Sequence, residues 1–290
     1  MTHPSILAIT PLYQQPEIFR VVADNWKKVR GVEKWVAFND HSPEETVKIA
    51  KEFMEVVDSG EPAKSNYVRD GGDTHIWDVK TMDRMARIRN RMWEYAACTT
   101  YNSFLFIDSD VLLAPGFVDA LASAVNRYMP DEAEPSIISP IYWSKWKKDG
   151  PELPQVWDYH PYGFSGVVGD RLRELRTPGL HEVRGLGAVT FVTDDVFDAC
   201  ARLGIDAPYT PIESLRKAGG GMMNGEDRWF CIRAECAGYK LYGLASDPPL
   251  AYHIYRDTDL GGIDAWVRAL EDQSHKEAGE RKESPIAGLG

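Results

Sequence analysis

Apolar runs alternate with amphipathic segments along the first half of the chain, and this order limits the fold more than any other feature of the sequence. Short apolar runs are typical of buried strands, and apolar residues that recur every three or four positions are typical of helices. Three strand–helix repeats in a row predict an open α/β sheet, mostly parallel and flanked by helices. The predicted strands are 5–10, 34–39, 65–69 and 103–107, and the predicted helices are 16–29, one that opens at 42–45, 80–97 and 116–128.

Two carboxylates, Asp108 and Asp110, follow directly on the apolar run 104–107. Residues i and i+2 of an extended chain point to the same side, so both carboxylates can approach one ligand. Ligands of open α/β sheets bind outside the carboxyl ends of the strands, and Asp40 also follows a predicted strand. The pattern therefore predicts a ligand site at this edge of the sheet.

The chemistry of the two carboxylates points to a metal ion. Carboxylate oxygens suit Mg²⁺ or Mn²⁺, and such an ion keeps coordination positions for the phosphates of a substrate. A D-x-D pattern also arises by chance, and it is then a solvated turn at the end of a strand. The apolar run before Asp108 and the strand–helix units upstream favour the metal site.

The second half of the chain carries fewer regular signals. Strands are predicted at 137–141 and 187–193, and a helix at 226–237 is followed by a further strand. The long segment between the first two strands is rich in aromatic residues, Pro and Gly, which is typical of functional or mobile loops. Residues from 271 to 290 are polar and lack periodicity, so they predict a loosely ordered tail.

Several motifs follow one another in a characteristic order. The helix segment "MARIRNRMWEYAA" precedes the strand that ends in Asp108 and Asp110, and "GLGAVTFV", "GEDRWFCIRAECAGY" and "AYHIYR" follow. Over residues 5–257 the chain resembles the GT-A fold glycosyltransferases, in particular glycosyltransferase family 2 and the Anp1-type mannosyltransferases. The resemblance implies one Rossmann-like domain over about 1–270, with a nucleotide-sugar half at 1–115 and an acceptor half at 116–270.

The resemblance also implies a reaction, the transfer of a sugar from a nucleoside diphosphate sugar to an acceptor hydroxyl. On the donor side, Asp40 would recognise the base or the ribose, and Arg89 with Asn90 would face the phosphates or the sugar. Asp108 would contact the ribose or the metal. A divalent ion and an arginine would stabilise the charge that develops on the departing diphosphate.

The same resemblance implies the metal ligands and the acceptor side. Asp108, Asp110 and a late histidine, His253, would bind Mn²⁺ or Mg²⁺. A carboxylate of the pair Glu226–Asp227 would be the base toward the acceptor hydroxyl, with Asp227 preferred. The acceptor would be a saccharide or a small molecule. Independently of the resemblance, the aromatic and basic stretch that follows residue 142 suggests an acceptor surface, for which Trp143, Lys145 and Trp146 are the candidate residues.

Each of these residues also has a purely structural interpretation. Arg89 would be an exposed residue on a basic helix face, and Glu226 with Asp227 would stabilise the positive end of the following helix. His253 and the tryptophans would be core residues. The order of the motifs favours the functional interpretation, and it leaves these alternatives open.

Three other functions are compatible with parts of the pattern. A haloacid-dehalogenase-like phosphatase also has a strand that ends in D-x-D, but Leu112 stands where that pattern has Thr or Val. A GT-A domain without catalysis would bind a sugar nucleotide or a glycan only. The stretch "YWSKWKK" could stack on bases and contact phosphates, which would make the protein a glycosyltransferase of hydroxylated bases in DNA.

Charge and cysteine usage limit the cellular setting. The net charge is −11, so the surface as a whole should repel nucleic acid and anionic membranes. The four cysteines form no C-x-x-C pair, which argues against a zinc site and predicts reduced, mostly buried thiols in a cytoplasmic protein. The first ten residues lack a signal-peptide pattern, and no apolar run reaches the length of a membrane span.

Overall fold

The computed structural model describes residues 5–63, 78–128, 136–145, 150–158, 169–219, 225–254 and 257–283. Within these ranges the strands are β1 Ile6–Leu12, β2 Val32–Asn39, β3 Glu55–Asp58, β4 Ser103–Ile107, β5 Val111–Leu113, β6 Ile137–Pro140, β7 Trp143–Lys145, β8 Glu152–Pro154, β9 Val156–Trp157, β10 Gly179–Val183, β11 Gly185–Leu186, β12 Val189–Thr193, β13 Leu241–Ala245 and β14 Ala251–His253. The helices are α1 Pro16–Trp26, α2 Glu44–Ala50, α3 Val79–Ala97, α4 Phe117–Tyr128, α5 Asp170–Glu174, α6 Asp194–Arg202, α7 Glu213–Gly219, α8 Glu226–Cys236 and α9 Ile263–Glu283.

Eight of these strands form one central sheet in the order β10-β13-β6-β12-β4-β1-β2-β3. The strands β3, β2, β1 and β4 are all parallel to one another, and so are β13 and β6. Strand β12 runs antiparallel to both of its neighbours, and β10 runs antiparallel to β13. The prediction of a mostly parallel α/β sheet is therefore confirmed, and the sheet continues across the two predicted halves of the chain.

The sheet is buried on both faces because its central strands are mostly apolar, and Thr10 of β1 and Ser103 of β4 are buried as well. All seven residues of β1 and all five of β4 are buried. Alternate residues of β1 point to opposite faces: Ala8 packs in the cluster that contains Phe19 of α1, and Leu7 packs in the cluster that contains Met92 of α3. In the second cluster the Trp93 ring stacks on Phe197 with centroids 3.7 Å apart. Truncating such a buried tryptophan to alanine costs about 3–5 kcal/mol.

The third strand of the parallel array differs from the prediction. It is β3, at Glu55–Asp58, whereas the predicted strand 65–69 lies outside the described residues. The segment "EVVD" has only two apolar residues and therefore gives no apolar run. It forms a strand because it lies at the edge of the sheet and pairs with β2 alone, where charged flanking residues remain in contact with water.

The C-terminal segment also differs from the prediction. Helix α9 continues to Glu283, although residues from 271 onward were predicted to be loosely ordered. Trp266 anchors the start of this helix, because its indole N–H donates to the carbonyl of Pro249 at 2.8 Å and its side chain is buried. Residues such as Glu, Ala, Lys and Arg, which dominate this stretch, favour helix even without a regular apolar face. Residues 284–290 lie outside the described ranges.

Two further expectations concern membranes and thiols. Among the described residues, every helix is too short or too polar to cross a bilayer. All four cysteines are free, as predicted. Cys200 and Cys231 are buried, but Cys98 and Cys236 are exposed, so the expectation of mostly buried thiols is met for half of them.

Candidate active site

Two backbone hydrogen bonds hold the acidic motif, Asp108 to Asp110, at the carboxyl end of β4. The amide of Asp108 donates to the carbonyl of Ala188 at 2.8 Å, which ties the end of β4 to the segment before β12. The chain then forms β5, which pairs antiparallel with β14 so that His253 lies opposite Val111. The amide of Ile254 donates to the carbonyl of Asp110 at 2.8 Å. This small ladder sets the late histidine beside the acidic motif.

Asp110 and His253 are in direct contact. The Nε2 atom of His253 lies 3.1 Å from Oδ1 of Asp110, and both side chains are largely buried. Burial by itself lowers the pKa of His253, but the charge of Asp110 and its hydrogen bond outweigh burial, so the pKa is raised. The predicted pairing of the histidine with the acidic motif is thus present in the fold.

The spacing of this pair suits a divalent cation. Neighbouring ligands of an octahedral ion with bonds of about 2.1 Å lie about 3 Å apart, and the two atoms here are 3.1 Å apart. Carboxylate oxygen and imidazole nitrogen are a donor set that Mn²⁺ accepts. Among the described residues, however, no group of three or more His, Cys, Asp or Glu is arranged to hold a metal. Asp108, the third predicted ligand, is engaged elsewhere.

Arg89 connects the two acidic motifs. Its Nη2 donates to Oδ1 of Asp108 at 2.6 Å, and its Nε donates to Oε1 of Glu226 at 3.0 Å. The guanidinium side chain is only 6% exposed, so it is not the surface residue of the structural interpretation. Burial opposes its charge, yet the two carboxylates raise the pKa of Arg89 above its ordinary value. The Nη2 and Nε groups of Arg89 are therefore both directed at carboxylates of the protein.

The environment of Asp108 makes it a weaker acid than an ordinary aspartate. Burial raises its pKa most, and Arg89 opposes this effect, while the charges of Asp110 and Glu226 raise the pKa further, to about 6. The side chain is nevertheless 28% exposed, so it borders the open side of the site. A carboxylate in this position can accept a hydrogen bond from a ligand as well as from Arg89.

The pair Glu226–Asp227 starts helix α8, and its two members have different surroundings. Glu226 is buried and bound to Arg89, whereas Asp227 is half-buried and accepts a hydrogen bond from the amide of Arg228 at 2.8 Å. Burial and the charge of Glu226 raise the pKa of Asp227 to about 7, although Arg89 and Arg228 act in the opposite direction. Asp227 is therefore the better general base near neutral pH.

Gly225 allows this arrangement. A Cβ atom at this position would lie 2.7 Å from Oδ1 of Asp227. That distance is too short for two unbonded atoms, so any other residue here would displace the carboxylate.

Asp40 belongs to a second charged cluster at the carboxyl ends of β2 and β3. Arg84 of α3 binds both of its carboxylate oxygens, with Nε 2.8 Å from Oδ2 and Nη2 on Oδ1, and Ser59 donates to Oδ1 at 3.3 Å. Arg84 also donates to the carbonyl of Pro62 at 2.7 Å. Only 1% of Asp40 is exposed. The cluster of Asp40, Arg84 and Ser59 therefore lies at the end of the sheet where the sequence predicts the nucleoside of the donor.

Asn90 anchors a loop. Its Oδ1 accepts from the amide of Tyr209 at 2.8 Å, and its Nδ2 donates to the hydroxyl of Thr210 at 2.9 Å. The Arg89 guanidinium lies 5.9 Å from the centre of the Tyr209 ring. The Arg-Asn pair of the sequence thus ties α3 to the site through Arg89 and to a neighbouring loop through Asn90.

The predicted acceptor residues lie on a hairpin of β7 and β8. Trp143 is half-buried, and the guanidinium of Arg176 covers its ring at 3.7 Å from the centroid. Lys145 is exposed and lies opposite Glu152 in the hairpin. Trp146 lies outside the described residues. Within the part of the chain that is described, nothing supports a nucleic-acid surface here, since the one tryptophan ring in view already stacks on an arginine.

Sequence reasoning missed two residues of these clusters, Arg84 and Tyr142. Arg84 shares a helical stripe with Ile88 and Met92, at steps of four residues, and a charged residue in an apolar stripe signals a buried ion pair. Tyr142 is 1% exposed, and its ring centroid lies 6.1 Å from that of His253. Its signal was weaker, because an aromatic residue after a buried strand is usually part of the core.

The fold and this site define a class. The parallel strands, the antiparallel strand β12 beside β4, and the acidic motif at the end of β4 together form a GT-A type α/β domain.

Comparisons with known proteins found solved structures of low similarity. No family model and no curated protein sequence matches the chain. A mannosyltransferase from Pyrobaculum calidifontis, solved with GDP-Man and Mn²⁺, is 13% identical with a TM-score of 0.43, over 85% of this chain and 55% of that one. Glucosyl-3-phosphoglycerate synthase from Mycobacterium tuberculosis, solved with Mn²⁺ and UDP-glucose, is 15% identical with a TM-score of 0.34, over 70% and 67%. S. aureus TarS is 13% identical with a TM-score of 0.45, over 84% and 37%. Proteins of one fold catalyse different reactions, so the reaction has to follow from the site residues.

Proposed function

We propose that this protein is a metal-dependent glycosyltransferase that moves a sugar from a nucleoside diphosphate sugar to an acceptor hydroxyl. The observation that carries this proposal is the bridge of Arg89 between Asp108 and Glu226. The bridge links the neighbours of the two proposed working groups: Asp108 precedes Asp110, the proposed metal ligand beside His253, by two residues, and Glu226 directly precedes Asp227, the proposed base. A glycosyl transfer needs these two functions side by side, one for the leaving diphosphate and one for the incoming hydroxyl.

Asp227 is the general base of the proposed reaction. Its carboxylate takes the proton of the acceptor hydroxyl while the oxygen attacks the sugar carbon and the bond to the diphosphate breaks. A pKa of about 7 matches this task near neutral pH. Glu226 is less suited, because its side chain is 8% exposed and already binds Arg89.

Asp110 and His253 would hold Mn²⁺ or Mg²⁺, with the remaining positions left to phosphate oxygens and water. When bound, the ion would supply positive charge to the departing diphosphate. To hold the ion, His253 would have to be neutral with the lone pair of Nε2 unprotonated, and Asp110 would have to be ionised. Asp108 contributes to donor binding, and Arg89 holds Asp108 and Glu226 in position.

The nucleoside end of the donor would lie at the cluster of Asp40 and Arg84. The carboxylate of Asp40 is fixed by Arg84 and Ser59, so the backbone and side chains around it form a rigid wall for a base or ribose. Asn90 supports the donor site through the loop at Tyr209. In this assignment residues 1–115 make most of the donor half, and residues 116–270 make most of the acceptor half.

A saccharide or another small molecule is the proposed acceptor. Trp143 and Lys145, with Trp146 next along the chain, would border it. A net charge of −11 disfavours nucleic acid as the acceptor. Four free cysteines suit a reducing compartment such as the cytoplasm.

Thermal unfolding of the full chain with a panel of nucleoside diphosphate sugars, with and without Mn²⁺, tests this function. The panel includes UDP-glucose and GDP-mannose. A matching donor at a hundred times its dissociation constant should stabilise the protein by about 2.7 kcal/mol, and only when Mn²⁺ is present. The proposal fails if no member of the panel raises the melting temperature in Mn²⁺.

Release of nucleoside diphosphate from the donor separates an enzyme from a binding domain. We expect slow donor hydrolysis by the wild type in Mn²⁺ and faster release with a suitable acceptor. Donor binding without any release would identify a non-catalytic domain. Turnover of p-nitrophenyl phosphate would instead indicate a phosphatase.

A further inference from the structure

Tyr142 lies beside His253 at the edge of the core and has no assigned role. It follows β6, and its backbone is fixed on both sides. The amide of Ile141 donates to the carbonyl of Leu244 at 2.7 Å, and the carbonyl of Tyr142 accepts from the amide of Gln155 at 3.0 Å. The fold rather than the side chain therefore sets the direction of the phenol.

The hydroxyl of Tyr142 is fully buried and makes no hydrogen bond with any residue in the described part of the chain. Most buried polar groups in proteins are hydrogen-bonded, and a buried hydroxyl without a partner destabilises the fold. Phenylalanine would fill the same space without this penalty. The hydroxyl group therefore calls for a reason outside the packing of the protein.

The surroundings of the hydroxyl indicate what it faces. Burial raises its pKa well above the ordinary value, and the negative charges of Asp108, Asp110 and Asp227 raise it further, whereas Arg89 lowers it. The phenol therefore stays protonated and is a hydrogen-bond donor at any physiological pH. Its ring lies 6.1 Å from that of His253, which itself contacts Asp110.

A glycosyl transfer places the sugar between the leaving diphosphate and the acceptor hydroxyl. In the function proposed above, the diphosphate lies at Asp110 and His253, and the acceptor hydroxyl lies at Asp227. The ring of Tyr142 lies beside His253, with centroids 6.1 Å apart, and its hydroxyl has no partner in the described part of the protein, so the hydroxyl can reach the sugar that is attached to the diphosphate. Carboxylates lie close to this neutral hydrogen-bond donor. The donor is therefore better suited to bind a neutral sugar hydroxyl than to bind an anion.

We propose that Tyr142 binds the transferred sugar, and that its hydroxyl donates a hydrogen bond to a hydroxyl oxygen of that sugar. The proposal rests on the glycosyltransferase function and adds to it a residue that selects the donor sugar. Because only 1% of Tyr142 is exposed, neighbouring side chains have to move aside before the sugar reaches it. The hydrogen bond from the Tyr142 hydroxyl would therefore form only when a sugar is bound.

The variant Tyr142→Phe removes the hydroxyl oxygen and keeps the ring. Without ligand, we expect its melting temperature to equal or exceed that of the wild type, since no internal hydrogen bond is lost. In Mn²⁺, we expect its dissociation constant for the sugar nucleotide to rise about tenfold, the scale of one hydrogen bond. The probe is whichever of UDP-glucose or GDP-mannose stabilises the wild type, and the dissociation constant is measured by calorimetry.

The nucleoside diphosphate without its sugar is the second probe. Its affinity should be the same for Tyr142→Phe and wild type, because the lost contact is to the sugar. The control variant is Tyr239→Phe, whose hydroxyl donates to the carbonyl of Asp195 at 2.8 Å. That variant should lower the melting temperature and leave both affinities unchanged.

Three outcomes would overturn the proposal while leaving the glycosyltransferase function intact. They are an unchanged affinity of Tyr142→Phe for the sugar nucleotide, an equal loss for the nucleoside diphosphate, and a clearly lower melting temperature without ligand. If the wild type binds no sugar nucleotide in Mn²⁺, the function itself has failed, and the role of Tyr142 falls with it.

Discussion

Asp108 and Asp110 lie at the end of a strand, whereas Glu226 and Asp227 lie at the start of a helix. Along the strand, the two carboxylates are separated by one residue and point to the same side. In the helix, adjacent side chains diverge by about 100°. Despite these different geometries, one member of each pair binds Arg89, and the other member does not.

This difference within each pair teaches how four carboxylates can share one small site. Like charges in close proximity raise each other's pKa and oppose ionisation. Arg89 offsets the charge of Asp108 and Glu226, Asp110 contacts His253, and Asp227 is the proposed base toward the substrate. The division predicts that variants of Asp110 and Asp227 affect activity, and that variants of the bridge affect stability.

The largest effect is expected from Asp110→Ala. Loss of a cation ligand that stabilises the leaving group should lower the turnover number about a thousandfold, with the fold retained. The measurement is donor turnover in Mn²⁺ together with circular dichroism. The matched control is Asp119→Ala, a carboxylate that is 72% exposed on α4 and should behave as wild type. Near-normal turnover of Asp110→Ala would remove Asp110 from the metal site.

Arg89→Met should have its main effect on stability. It leaves two largely buried carboxylates without their partner, and breaking such a network typically lowers the free energy of unfolding by about 3–5 kcal/mol. Urea denaturation measures the change. Arg20→Met is the control, because Arg20 and its partner Glu45 are both more than half exposed and their ion pair should contribute less than about 1 kcal/mol. Equal losses in the two variants would show that Arg89 is not a bridge.

Asp227→Asn should lower the turnover number about a hundredfold or more, as expected for the loss of a general base. Asparagine keeps the shape of the side chain and can still accept a hydrogen bond from the amide of Arg228. Donor affinity in Mn²⁺ should therefore be unchanged. Normal turnover combined with weaker donor binding would instead assign Asp227 to the donor site.

The pH dependence of the wild type follows from the raised pKa of Asp227, about 7. The base is active when ionised, so kcat/KM should fall about tenfold for each pH unit below 7 and level off above it. An ordinary aspartate would show the same fall only below pH of about 4. The profile of Asp227→Asn should lack this limb. A wild-type profile that is flat down to pH 5 would contradict the assignment.

The smallest expected effect is that of His253→Ala on metal binding. The concentration of Mn²⁺ for half-maximal activity should rise about tenfold, and excess Mn²⁺ should restore part of the activity. His181→Ala is the control, because His181 lies on β10 at the edge of the sheet and contacts the carbonyl of Thr177. If wild type and His253→Ala reach half-saturation at the same Mn²⁺ concentration, His253 is a core histidine.

Most regular elements of the first half of this protein could be predicted from the chain alone. The predicted strand 103–107 matches β4, and the predicted helix 80–97 differs from α3 by one residue. Such elements depend on local patterns of apolar residues, which the sequence displays directly. The edge strand β3 and the extension of α9 were missed, because neither has a regular apolar pattern. Strand β3 depends on its pairing with β2, and helix α9 depends on the anchoring contact of Trp266.

For the site, the sequence by itself determined which carboxylates lie at element ends, and the order of motifs supplied the candidates Asp108, Asp110, Asp227 and His253. Only the tertiary structure decided which of the acidic side chains contact Arg89 and which contact His253. Arg89 meets partners 19 and 137 residues away, and His253 meets Asp110 across 143 residues. Periodicity describes neighbours along the chain, whereas distances between charges depend on how sheet and helices pack. For the same reason, the buried hydroxyl of Tyr142 becomes visible only in the fold.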